Sequence, residues 1–394
     1  MNYYKETRPW TLNGERVRVV DNNEHLGLIV SGEDEEQKNV DENITKCRNS
    51  LFALLGPAFA YKCLLSPLVQ NHLWRTYNLP ILYSGLSALP IRPSQSKSLA
   101  IFQNKILRGI LKLSNTSPTP AIHFLLGHLP AEAILHINTL TIFHNIWSNK
   151  DTTVYKMVLY ILKMCNNSST TWSNHLQLLC IKYGLPSPLS LLLKESPWSK
   201  ESWNCLVKTR VTIWHEKDLR EKSLNNSKMK YLNVQLSGLS GAPHPALRNI
   251  ITTQDVKKLC HNLKFLTCDY LTNERLHLDQ PNLSPACDLC KSPRDSIQHV
   301  LVSCMATHEV RSRIYPELMN CVAKVQPVCS ILRRDHSPET LTQFLLDCSS
   351  LSLPDSFRIP AHNPEITSVY KISRDWSFAI SKERSRLLRH LSKN

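Results

Sequence analysis

Apolar residues along this chain recur mostly at three- and four-residue intervals, the period of one face of a helix. Val40, Ile44, Cys47, Leu51 and Leu54 make one such face. Gly56-Pro57 is expected to stop it, because proline has no amide hydrogen to donate. Ser66-Pro67 then offers an N-cap and a first-turn proline for a second helix ending at Pro80. A third is predicted from about Ser94, with Leu99, Phe102, Ile106, Ile110 and Leu113 on one side and Lys97, Lys105, Arg108 and Lys112 elsewhere. Pro130 opens a fourth, carrying Ile134, Ile137, Leu140 and Ile146. From 151 to about 245 the spacing stays helical, and Trp203, Val207, Val211 and Trp214 read as a core stripe. A last helix is predicted around Trp376, Ile380, Leu387 and Leu391, with Lys382, Arg384, Arg386 and Arg389 on its other faces.

Strand signals are confined to the start, where residues 16–20 and 26–30 flank Asp21-Asn22-Asn23 and predict a hairpin with an Asx-rich turn. The acidic stretch at 33–36 reads as a solvated loop. Gly, Ser and Pro at 238–245 read as a linker, and Pro354, Pro360 and Pro364 as an extended segment. The expected fold is mainly α: an N-terminal hairpin over 1–31, a helical region over 32–150 and a helical connector over 151–245. A small zinc-binding module over 246–320 and a C-terminal region over 321–394 with a basic helix complete it.

Composition sharpens this picture in three ways. Ten glycines in 394 residues suit a helical chain, and the length suggests about two or three domains. Lys and Arg number 47 against 32 Asp and Glu, a net +15 that favours an anionic polymer or a membrane surface as partner. The longest apolar run, 51–61, is broken by Gly56-Pro57 and falls short of the roughly 18 residues a span needs. No apolar leader follows Met1, so a soluble, intracellular protein without a membrane partner is expected. Thirteen cysteines, an odd number in so long a chain, fit a reducing compartment better than a disulfide scaffold.

The sharpest chemical signal is Cys287-Asp288-Leu289-Cys290 followed by His299 and Cys304, a C-x2-C-x8-H-x4-C spacing. Three thiolates and one imidazole supply the donors of a closed tetrahedral Zn²⁺ shell, and the two-residue gap lets one turn present both first cysteines. Chance would produce this spacing with an expectation on the order of 10⁻³. All four positions are filled by protein, which points to a structural zinc and away from metal-activated hydrolysis. His128, Glu132 and His136 are also spaced by four, but Pro130 interrupts them, so Glu132 and His136 read as an i, i+4 pair. Lys257, Lys258, Lys264 and Arg275 precede the ligands and Arg311 and Arg313 follow them. These are the candidate phosphate contacts. Within the motif Lys291 and Arg294 balance Asp288 and Asp295, so the loop is expected to brace while its flanks touch RNA or DNA.

Several blocks then resemble, in order, the reverse transcriptases of non-LTR (LINE-class) retrotransposons. Glu24-His25-Leu26-Gly27-Leu28, preceded by Trp10-Thr11-Leu12-Asn13-Gly14 and followed by Asn43-Ile44-Thr45-Lys46, looks like the end of a palm entering a thumb. Residues 77–85, 121–127, 129–132, 230–234 and 263–267, with Tyr270 and Asn273-Glu274-Arg275, look like stretches beyond that family's polymerase. The similarity covers nearly the whole chain. It implies a zinc segment that helps hold template RNA or target DNA, within a family whose activity is RNA-directed DNA synthesis. Cys268 departs from it, standing where such elements commonly carry glycine.

Polymerisation needs two Mg²⁺ held by palm carboxylates, including a paired Asp-Asp, and the chain contains no Asp-Asp. No catalytic residue and no autonomous polymerase activity are therefore expected. An endonuclease is the enzymatic rival, yet Asp355 and Asp375 lie 20 residues apart with no lysine in a nuclease arrangement. A zinc-stabilised scaffold for a protein partner, or a transposon relic without selected function, are the remaining readings.

Overall fold

The computed structural model describes residues 11–16, 20–59, 65–164, 171–194, 197–235, 238–239, 241–324, 335, 337–350 and 364–392. At its start β1 (Thr11–Leu12) pairs with β2 (Glu15–Arg16), and β3 (Asn22–His25) runs antiparallel to β4 (Leu28–Ser31). Asn22 lies opposite Ser31 and His25 opposite Leu28, so Leu26-Gly27 is the turn. Their φ values of 50 and 82 are the positive pair that a primed two-residue turn requires. The Asx cluster expected as the turn is therefore partly strand; Gly27, which meets no Cβ penalty, sets the reversal. Asn39 fastens this hairpin to the first helix, its side chain bonding both the amide and the carbonyl of Ile29 at 2.8 Å.

Helix α1 (Glu35–Phe59) turns Val40, Cys47 and Leu51 of the predicted face inward and leaves Leu54 exposed, and it continues through Gly56-Pro57, since a proline forfeits one amide bond without having to end a helix. Ser66 caps α2 (Pro67–Leu73) as expected, its hydroxyl accepting from the Leu68 amide. The chain then widens into a π turn over Trp74–Asn78 and re-enters α3 (Leu79–Leu82). The wide turn carries the coil across Pro80, with the Leu79 amide reaching back to the Trp74 carbonyl. Next come α4 (Pro93–Leu111), α5 (Thr119–Leu126), α6 (Ala131–Trp147), α7 (Thr153–Met164), α8 (Trp172–Tyr183), α9 (Pro188–Leu192) and α10 (Lys200–Leu224). The C-terminal part holds α11 (Thr253–Leu266), α12 (Asn273–Asp279), α13 (His308–Lys324), α14 (Pro338–Asp347) and α15 (Pro364–Leu391). The fold is mainly helical, with the two small hairpins as its only sheets among the described residues.

Two apolar cores organise these helices. One gathers side chains from α1 to α5, from the 229–247 segment and from α11, α13, α14 and α15, so it joins the N-terminal helices to the C-terminal ones. The other is built by α6 to α10 around Phe143, Trp147 and Trp203. Helix α6 serves both: Ala131 and Leu135 face the first core, and Ala133, Ile137 and Leu140 face the second. Trp203, Val207 and Val211 are buried as predicted, but Trp214 stays partly exposed beneath the Lys182 ammonium. His215 takes the inward position beside it. The 238–245 stretch, read as a linker, is packed: His244 is buried and its amide bonds the Leu125 carbonyl at 2.8 Å. Pro364 opens α15, while Pro354 and Pro360 lie outside the described residues. No helix among the described residues is long and apolar enough to cross a membrane.

Candidate metal centre

The four predicted ligands converge. One donor atom each from Cys287, Cys290, His299 and Cys304 lies within 4.8 Å of all the others. The Cys287 and Cys304 sulfurs are 4.0 Å apart, those of Cys290 and Cys304 3.8 Å, and Cys290 Sγ is 3.3 Å from His299 Nε2. A tetrahedron with metal–sulfur bonds of about 2.3 Å and a metal–nitrogen bond of about 2.0 Å has edges of roughly 3.8 and 3.5 Å. The cluster has those dimensions, and its sulfurs are too far apart for disulfides. The four residues can therefore hold one metal ion.

Local backbone explains the convergence. Cys287 accepts the Lys291 amide at 2.9 Å and gives its own amide to Ser292 at 2.8 Å, folding 287–292 into a knuckle. Lys291 closes it at φ 60, in the left-handed region. The second pair sits at the two ends of a π turn, His299–Ser303, whose closing bond runs from the Cys304 amide to the His299 carbonyl at 2.7 Å. In an α-helix residues five apart point to nearly opposite sides; the wider π turn brings them to one side. That is why the x4 gap serves as a ligand spacing here.

Electrostatics match a cation. Burial disfavours ionising Cys290, yet the amides of Ser292 and Met305 and the neighbouring thiols outweigh it and hold the group below the usual thiol range. Cys304, by contrast, is pushed up to about 11 by burial and by its thiol neighbours. Three thiols this close do not all ionise unaided; a divalent ion in their midst deprotonates them. Burial lowers the His299 pKa, keeping the imidazole in the neutral form a metal ligand needs. A four-coordinate ion held here would take all its donors from protein.

What surrounds the cluster was not all anticipated. Asp295, expected to balance charge inside the loop, is fully buried and pairs with Arg384 of α15 at 2.6 Å. The same guanidinium reaches Cys287 Sγ at 3.7 Å. The basic residues of the last helix suggest an outer face for Arg384, but it follows Trp376 and Ile380 at i+8 and i+4, the spacing of the inward face. Arg294 pairs with Glu274, and Asp288 accepts from the Asn273 side chain at 2.9 Å.

The six candidate phosphate contacts divide. Lys257 and Arg313 are exposed and Lys264 is half-buried. Lys258 is bound by Asp375 of α15 at 2.6 Å, and Arg275 pairs with Asp279 at 3.3 Å. Arg311 is a correction: it is buried, with its guanidinium on Thr307 Oγ1 at 2.8 Å, one residue layer from Cys304. It braces the centre and does not face solvent. The His128, Glu132 and His136 spacing assembles no ligand set. Glu132 binds Lys182 at 2.5 Å, His136 meets the Tyr183 hydroxyl at 2.5 Å, and His128 bonds Gln103 at 3.0 Å. No family model, curated protein or solved structure matches the chain.

Proposed function

We propose that this chain binds RNA or DNA through cationic surfaces braced by a structural zinc site, as part of a retrotransposon reverse-transcriptase-like protein. The observation that carries the reading is the closed Cys287, Cys290, His299 and Cys304 shell in a chain of net +15. Zinc suits the donor set: soft thiolates select against magnesium and calcium, and the edge lengths fit a tetrahedral ion. Lys257 and Lys264, seven residues apart on α11, have no ion-pair partner among the described residues, and Lys257 is exposed. The ordered blocks from Glu24 to Arg275 support the family reading.

Two measurements test it. Elemental analysis of purified protein should give one zinc per chain, and Cys290→Ser should lose it. Since structural zinc contributes on the order of 10 kcal/mol in small modules, that variant should expose 255–320 to protease. Anisotropy titrations with single-stranded RNA and duplex DNA should show affinity falling steeply with salt, because counterion release drives phosphate binding. Lys257→Glu, Lys264→Glu and Arg313→Glu together should flatten that slope by about three phosphate contacts' worth. A salt-independent affinity in the parent protein would falsify the nucleic-acid reading.

One observation favours a second reading, a protein-interaction scaffold. Helix α7 leaves Val154, Met157, Tyr160 and Met164 more than half exposed along one side. If the charge-reversed protein loses nucleic acid yet keeps a protein partner, that reading prevails.

A further inference from the structure

The candidate metal centre is not closed by its own loop, because α15 reaches it across 75 to 97 positions of sequence. Trp376 donates its indole hydrogen to the Leu301 carbonyl at 3.0 Å, inside the π turn between His299 and Cys304. Two turns further on, Arg384 places one guanidinium nitrogen on Asp295 at 2.6 Å and another on Cys287 Sγ at 3.7 Å. Beyond Ile380 the only buried side chains of α15 are Ser381 and Arg384; the residues after them are partly or fully exposed. Two buried side chains thus fasten the helix end: Ser381, whose hydroxyl pairs with His261 Nδ1 of α11 at 2.9 Å, and Arg384, which reaches the metal centre.

We propose that metal occupancy of the Cys287, Cys290, His299 and Cys304 site and docking of the last turns of α15 are coupled, with Arg384 as the positioning residue. The inference rests on the zinc reading above. A divalent ion with three thiolates and a neutral imidazole carries one net negative charge, so loading gives the buried guanidinium a second anion beside Asp295. Emptying the site removes the ion that fixes Cys287 Sγ against that guanidinium. By linkage, whatever the ion contributes to holding α15 the helix returns to the ion. The cationic side chains on this helix end, Lys382, Arg386 and Arg389, are thereby presented in a metal-dependent way. Asp295 opposes the coupling: if it holds Arg384 by itself, metal removal changes nothing at the helix.

Hydrogen exchange of the full chain, zinc-loaded and after treatment with a chelator, separates these outcomes. Peptides over 287–304 report the metal site and those over 382–392 report the helix end. Loss of protection in both on chelation, by tenfold or more at 382–392, supports the coupling. Loss at 287–304 with unchanged exchange at 382–392 overturns it and leaves the zinc reading standing. No change in either overturns both. Arg384→Met should bind zinc 10- to 100-fold more weakly in chelator competition, the usual effect of removing an outer-shell partner, and Arg384→Lys should recover part of it. With cobalt(II) in the site, Arg384→Met should shift the thiolate-to-metal charge-transfer band, which a defect confined to helix packing leaves in place. Wild-type zinc affinity in Arg384→Met also overturns the proposal.

Discussion

Lowering the pH from 7 to 5 should destabilise this protein by several kcal/mol, even with the metal site kept empty. Among the described residues, four of the buried histidines have strongly depressed pKa values and stay neutral in the folded chain. Burial, reinforced by Lys182, pushes His136 down to about 2. Burial with the neighbouring His128 takes His123 to about 3. Burial takes His128 to about 4, and His215 also to about 4 against the pull of Glu132. Unfolded, each has its ordinary value near 6.5. A depressed folded pKa on a base means the unfolded chain binds more protons below pH 6.5. Stability is therefore complete above 6.5 and falls as the pH drops toward the folded values. At pH 5 each group costs about 2 kcal/mol, so four cost up to roughly 8 kcal/mol, comparable with the whole stability of a domain. Local relaxation reduces this, but a third of it, about 3 kcal/mol, still moves a urea midpoint clearly. The second core holds Trp147 and Trp203 with Trp172 and Trp198 packed against it, four of the eight tryptophans, so fluorescence reports it directly. Urea titrations at pH 7, 6 and 5 with chelator throughout remove competition between protons and metal from the comparison. A midpoint that is level or rises toward pH 5 would refute the account of these histidines as buried neutral groups.

Other perturbations have equally direct readouts. Asp347 is fully buried and accepts hydrogen bonds from the amides of Asn233 and Ser349 and the hydroxyls of Ser349 and Tyr370, while facing His244 at 3.4 Å. Asp347→Asn strips the anion from that network and should cost about 3–5 kcal/mol in urea unfolding; a loss below 1 kcal/mol contradicts it. Gly127 sits at φ 60 with a would-be Cβ 2.5 Å from the Ala242 carbonyl, whereas Gly184 at φ 61 has nothing within 4 Å. Gly127→Ala should therefore cost about 2–4 kcal/mol and Gly184→Ala about 1, and equal losses would refute the close approach. Cys268 adopts φ 52 just past α11, so Cys268→Gly should relieve about 1 kcal/mol of left-handed strain, readable as a higher melting temperature.

Local spacing was sufficient for the helical class, for the inward face of α4, for those of α1 and α10 apart from Leu54 and Trp214, and for the four clustered donors. Those features depend on neighbours a few residues apart, and local spacing encodes them. Burial of charge was not legible in the same way. Arg311, Arg384 and Asp295 looked like solvated or mutually cancelling charges because sequence shows the cost of burying an ion but not the distant partner that offsets it. Arg384 finds Asp295 across 89 positions, and Asp347 finds His244 across a similar stretch, only when α15 and α14 pack on the first core.

By itself, then, the order of residues determined which segments coil and which four side chains have the chemistry to share an ion. Tertiary structure alone decided that the N-terminal and C-terminal helices share one core, that a presumed linker is packed, and that a helix from the far end of the chain completes the metal site's surroundings. Helical faces and turn ligands arise from interactions within one or two turns of backbone. Pairing of buried charges needs the loop-closure cost to be met by collective packing, and no short stretch of sequence contains that sum.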